Sequence, residues 1–135
     1  MSTTNYYETI IEVSEDCPVK KAELPKLKNG ERTAAVIQYE MLIGNPYLYT
    51  SDDVVFYVYA EKNNVSKGNL QLEREKFFSK GQPCLRSSPL VKRYGWGVHF
   101  NKDGKAAIYA IESSEYRKLY KDKTIKHLKG MKSKR

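Results

Sequence analysis

The chain has no long apolar run. Across its 135 residues nothing approaches the roughly 18 consecutive apolar residues that cross a bilayer, and the opening MSTTNYYETIIEVSED carries neither the basic nor the apolar region of a secretory leader. A cytoplasmic location is therefore expected. Cysteine is scarce. Cys17 and Cys84 lie far apart, each beside a proline and without CxxC spacing, which argues against a disulfide framework and for two reduced, structural thiols. Histidine is as scarce, and a zinc site would need nearly every Cys and His in the chain with no ligand spacing to join them. Also missing are GxxxxGK[ST], a GxGxxG after a strand, and GxSxG. Neither a metal nor an organic cofactor is expected.

What is present describes a folded protein. Hydrophobic residues make up 40%, aromatics 12% and charged residues 30%, too apolar for disorder and too interrupted for a membrane protein. The length suits one domain with its own core. A net charge of +8 suggests a polyanion as partner until it is located along the chain. Residues 121–135 carry seven basic side chains against Asp122, a net +6, which leaves +2 for residues 1–120. The division expected is thus a nearly neutral domain over 1–120 and a basic, at most partly ordered tail over 121–135. Lys126, Lys129, Lys132, Lys134 and Arg135 are the residues such a tail would offer to nucleic acid.

Along the body, NYYETIIEVSED alternates as a half-buried strand does. CPVKKAELPKLKNGERT, with two prolines and an Asn-Gly pair, reads as a surface loop. Thr33 can cap a helix through AAVIQYEMLI with Gly44 as its stop; a strand pattern also fits there, and the helix is preferred. VVFYVYAE, all β-branched and aromatic at its start, predicts the central strand, with Ser51 and Asp52 in the turn or cap before it. Ser66 opens a second helix predicted to close on Gly81. The NKDG turn should join YGWGVHF to KAAIYAI as a hairpin, and Ser113 or Ser114 should cap a short helix through SEYRKLYK. Strands and helices mixed around hairpins predict an α+β domain, mainly an antiparallel sheet with helices packed on one face.

The stretch KRYGWGVHFNKDGKAAIYA shares a basic residue, glycines and aromatics with the strand by which RNA-recognition domains stack bases. It is out of phase with that motif. Gly95 and Gly97 stand where the stacking rings are needed, and alternation puts Trp96, Val98 and Phe100 together on the core face. Gly95, Gly97 and His99 are left on the opposite face. Two glycines at that spacing imply close approach of another group. Either a helix packs on them with His99 hydrogen-bonded at its rim, or they floor a small pocket walled by Arg86, Ser88, Lys92 and Arg93.

The blocks SPLVKRYGWGVHFNKDGKAAIYAIESSEY, NPYLYTSDDVVFYVYAE and TNYYETIIEVSEDCPVKKAE resemble a family of small, mostly bacterial proteins classed only as a domain of unknown function. The resemblance implies one intact domain and brings no activity, substrate or catalytic residue with it.

The function expected from these features is a non-catalytic binding module. It would recognise a small anionic ligand or a protein partner with Arg86, Lys92 and Arg93 for charge, Ser88 for a hydrogen bond and His99 as a pH-dependent donor or acceptor. Nucleic-acid binding through the tail is the alternative. A small enzyme is the third, using Cys84 with His99 as its base, or Asp52 beside Asp53. Tyr57 and Tyr59, on one face of the predicted central strand, could pack beneath helices or stack on a ligand ring.

Overall fold

Thr9–Glu12 (β1), the strand expected near the amino terminus, lies inside the sheet rather than at its margin, and all four of its residues are buried. On one side it pairs antiparallel with Trp96–Phe100 (β2), which turns through Asn101–Lys105 into Ala106–Ala110 (β3). On the other side it pairs parallel with Lys126–Lys129 (β4), giving the order β3-β2-β1-β4. The computed structural model describes residues 2–133. It is an α+β domain with one mixed sheet.

Five helices surround the sheet among the described residues: Ala34–Ile43 (α1), Ser51–Lys62 (α2), Leu70–Phe77 (α3), Pro89–Lys92 (α4) and Ser114–Lys121 (α5). Ile11, Val98, Phe100, Ala106 and Ile108 form one face of the sheet, packed on Ala35, Leu42, Val54, Leu90 and Val91 from α1, α2 and α4. Trp96 shares that face as its alternation requires, and its indole N–H reaches Glu23 O at 2.9 Å. The other face, carrying Ile10, Glu12, Gly97 and His99, is crossed by α5. Helices therefore flank both faces, not one.

The predicted strand at VVFYVYAE is α2. Two physical facts decide it. Thr50 and Asp53 form a reciprocal capping box at its start. Its apolar residues also point two ways, Val54 into the main core and Phe56 with Ala60 into a second cluster around Phe78. A helix buried on two sides has no single stripe at a 3.6-residue period, so its β-branched and aromatic content dominates the sequence pattern. The cap is Thr50, not Ser51 or Asp52. The second predicted helix begins with a 3₁₀ turn at Lys67–Asn69 and ends at Phe77, short of Gly81. Thr33 caps α1 and Ser113 caps α5, each accepting a backbone N–H three residues on.

The basic C-terminal stretch contains β4. Beyond the strand, Gly130 N–H donates to Glu12 O at 2.7 Å and Met131 N–H to Arg86 O at 2.8 Å. Lys134 and Arg135 lie outside the described residues.

The glycine strip on β2 is covered. A Cβ at Gly97 would sit 2.4 Å from Cε2 of Tyr116, a buried ring whose hydroxyl accepts Val13 N–H at 3.0 Å. Gly95 has φ +77°, and a Cβ there would meet Val19 at 3.0 Å. Gly97→Ala should consequently lower the unfolding free energy by roughly 1–3 kcal/mol, while Gly68→Ala, with nothing within 4 Å of a Cβ, should stay within about 0.5 kcal/mol of the parent; urea titration of both checks this. Thr50→Ala should cost about 1 kcal/mol through the lost cap and shift the same curve.

Candidate functional site

Helical spacing builds one cavity that the sequence pattern did not reveal. Asp53, Phe56 and Tyr57 stand at i, i+3 and i+4 on α2, and Leu70, Gln71 and Arg74 share a side of α3. With Met41 from the end of α1 and Leu48 and Tyr49 from the following turn, they line a hollow of about 480 Å³. That volume suits a small ligand. Its rim is apolar and wet: Leu48 is 52% exposed, Tyr57 50% and Leu70 37%.

At the wall of this hollow lies an ion pair. Arg74 Nη1 is 2.9 Å from Asp53 Oδ1, and its guanidinium sits 5.8 Å from the centre of the Phe56 ring and 5.6 Å from that of Phe78. Asp53 Oδ2 accepts the Thr50 N–H at 3.0 Å. Burial works to raise the Asp53 pKa, but the Thr50 N–H and Arg74 together outweigh it and hold the carboxyl below the usual range. The pair is thus charged at neutral pH and locally balanced. Arg74 keeps further N–H donors, so the cavity offers apolar walls, aromatic surface and a donor already neutralised by its own carboxylate.

The residues expected to form a pocket around β2 are spread over several places. Ser88 is buried, caps α4 and donates to Gln38 Oε1 at 2.5 Å on the side facing α1. Arg86 donates to Lys129 O at 2.9 Å. Lys92 is half-buried and Arg93 exposed. Arg93 lines a separate hollow of about 330 Å³ with Lys26, Lys28, Tyr94 and the first turn of α1. Gly95 and Gly97 are closed over by residues 19–22 and by Tyr116. His99, across the sheet from Ser88, has Nδ1 at 2.8 Å from the Tyr47 hydroxyl, which also meets the Tyr109 hydroxyl at 2.8 Å. Burial lowers the His99 pKa, with Asp122 opposing. Those seven residues are not brought together.

Other candidates are committed elsewhere. The Asp52 carboxylate accepts Thr4 N–H at 2.6 Å and the hydroxyls of Thr3 and Thr4 at 2.9 and 2.8 Å, fastening the amino-terminal segment to α2. Cys84 Sγ lies 3.0 Å from the Tyr6 hydroxyl, whose pKa burial and then the Cys84 contact push up to about 12. His99 is engaged with Tyr47, not Cys84. Lys129 and Lys132 stand 3.4 and 3.2 Å from the Glu15 carboxylate, while Lys121, Lys123 and Lys126 have no ion pair among the described residues. Among the described residues no three His, Cys, Asp or Glu are grouped to hold a metal ion, and no helix is long and apolar enough to cross a membrane.

A strand at VVFYVYAE hides the cavity, because it leaves Asp53 before the strand and sends Phe56 and Tyr57 to opposite faces, whereas the helix gathers all three. The one local signal was TSDD, a Thr followed three residues later by Asp.

Neither a curated protein nor a solved structure matches the chain. A family model described as a family of unknown function, DUF6157, matches residues 1–135. The chain, end to end, belongs to that family.

Proposed function

We propose that this protein is a non-catalytic binding module whose ligand occupies the cavity between α1, α2 and α3. The observation that carries this reading is a 480 Å³ hollow with exposed Leu48, Tyr57 and Leu70 at its mouth and a charged Asp53–Arg74 pair in its wall. Apolar side chains held open to water are costly unless something covers them. The ligand chemistry that suits the walls is a ring-bearing small molecule with an acceptor atom for Arg74. Full negative charge on it gains little, because Asp53 already balances the guanidinium.

An anionic ligand is the second reading, favoured by one separate observation: Lys26, Lys28 and Arg93 line the hollow at the start of α1 with no carboxylate among the lining residues. This keeps Arg93 from the site expected on the sequence and replaces its other members.

A melting screen against neutral aromatic compounds and small anions, each at low and high salt, separates the two. A ligand at a hundred times its Kd adds about 2.7 kcal/mol to the native state. The expected result is a salt-resistant shift from an aromatic compound, abolished by Leu70→Lys or Leu48→Lys and unchanged by Arg93→Ala. A salt-sensitive shift from anions that disappears with Arg93→Ala replaces the first reading by the second, and loss of neither response in these variants removes both.

Asp53 gives a pH test of the wall itself. Its folded pKa is depressed, so its contribution is fully present above the unfolded value near 4 and is lost as pH falls through the folded value. Asp53→Asn should be less stable than the parent at pH 7, with the gap closing below about pH 4; urea midpoints measured across that range check the sign.

A further inference from the structure

Both histidines of the chain sit on the same face of the sheet, in one row across three strands: His99 is paired opposite Ile10, and Ile10 opposite His127. Their surroundings differ in kind. His99 faces a hydroxyl, which can donate as well as accept. His127 faces acceptors only. Its Nδ1 is 2.9 Å from Glu12 Oε2, and its Nε2 is 2.5 Å from the backbone oxygen of Asp122. A carboxylate and a carbonyl have no hydrogen to give, so both bonds exist only if both ring nitrogens carry one, which is the imidazolium.

The groups around the ring favour that charge. Glu12, from β1, has a side chain only 9% exposed, and a carboxylate so placed needs a cation. From β4 itself, Lys129 is the other cation near it, at a longer 3.9 Å from Oε1. From the α5 side, Tyr116 has its hydroxyl engaged by Val13 N–H, and Asp122 supplies the carbonyl while its own carboxylate is held by Thr124. From β2, His99 is near enough to Asp122 to feel its charge and is itself kept toward the neutral form by burial. The backbone bond from Asp122 first, then Glu12, raises the His127 pKa.

We propose that His127 is a charged clasp that fastens the C-terminal strand to β1 and to the end of α5, and that this strand loosens as pH rises through the titration of the ring. The clasp matters because β4 has little else of its own. One apolar side chain, Leu128, lies in the strand, and it is only half-buried. Among the described residues the remaining ties are the four-residue ladder, the Gly130 and Met131 amides, the Ser14 hydroxyl on Met131 O, the Ser133 N–H on Asp16, the bond from Arg86 to Lys129 O, and lysine pairs to Glu12 and Glu15. For a histidine whose folded pKa is raised, the stabilisation is complete below the unfolded value near 6.5 and is lost as pH climbs past the folded one. The direction is therefore release toward alkaline pH, opposite to that of Asp53.

Nitrogen NMR of the full chain tests this directly. Both ring nitrogens of His127 should be protonated at pH 6 and its midpoint should lie above 6.5, whereas the His99 midpoint should lie below it. Amide exchange in residues 126–129, corrected for the intrinsic pH dependence, should speed up roughly tenfold between pH 6 and pH 9 while the β2 and β3 amides hold. His127→Gln, which has no titratable proton, should remove that pH dependence. A His127 midpoint at or below 6.5, a single neutral tautomer at pH 6, or β4 protection that is the same at both pH values would overturn the proposal. The titration of the unmodified chain is decisive even if His127→Gln does not fold.

Discussion

A buried four-residue strand is the constraint on which the rest of the molecule depends. Thr9–Glu12 has neighbours on both edges and side chains on both faces, so every layer of the domain is positioned by it. Its outward pairing with β2 brings in the hairpin, and its parallel pairing with β4 draws the basic carboxyl-terminal stretch into the sheet. Ile11 anchors the core beneath α1 and α4, while Ile10 and Glu12 anchor the face crossed by α5. The half-buried alternation expected over NYYETIIEVSED does not hold in the strand itself: Thr9–Glu12 is buried on both faces, with Ile10 and Ile11 pointing opposite ways and both fully buried.

The two faces have different chemistry as a result. Beneath α1 and α4 the sheet is covered by aliphatic packing, and α2 extends that layer outward to a second apolar cluster, with the open cavity beside it. On the α5 face lie Gly97, two histidines, a buried carboxylate and the hydroxyls of Tyr47, Tyr109 and Tyr116. Charge is balanced locally on both. Arg74 is met by Asp53, His127 by Glu12, and Lys129 with Lys132 by Glu15. Each such pair cancels one base against one acid and leaves the net +8 of the chain unchanged, so the excess is carried by the cations outside the pairs.

How much of this was legible in the sequence depends on whether the signal was local. The hairpin from Trp96 to Ala110, the caps at Thr33 and Ser113, and the core face of Trp96, Val98 and Phe100 follow from turn chemistry and alternation within a few residues. The close approach implied by Gly95 and Gly97 was legible too, although not the identity of the group that approaches. Ser51–Lys62 was misread because its two buried sides mask the helical period, and the cavity residues Asp53, Phe56, Tyr57 and Arg74 were lost with it. The strand at Lys126–Lys129 was illegible for another reason. KHLK has one apolar residue, and what makes it a strand is the edge of β1, more than a hundred residues away in the chain.

That last pairing bears on how the protein is made. β1 leaves the ribosome before both of its partners, at 96–100 and 126–129, which lie far downstream in the chain. Its isoleucines have no sheet to enter until then. Pairings of such sequence separation carry a large loop-closure cost before any contact rewards it. The sheet therefore cannot be completed until β4 has emerged, which makes β1 the segment most in need of shelter during translation.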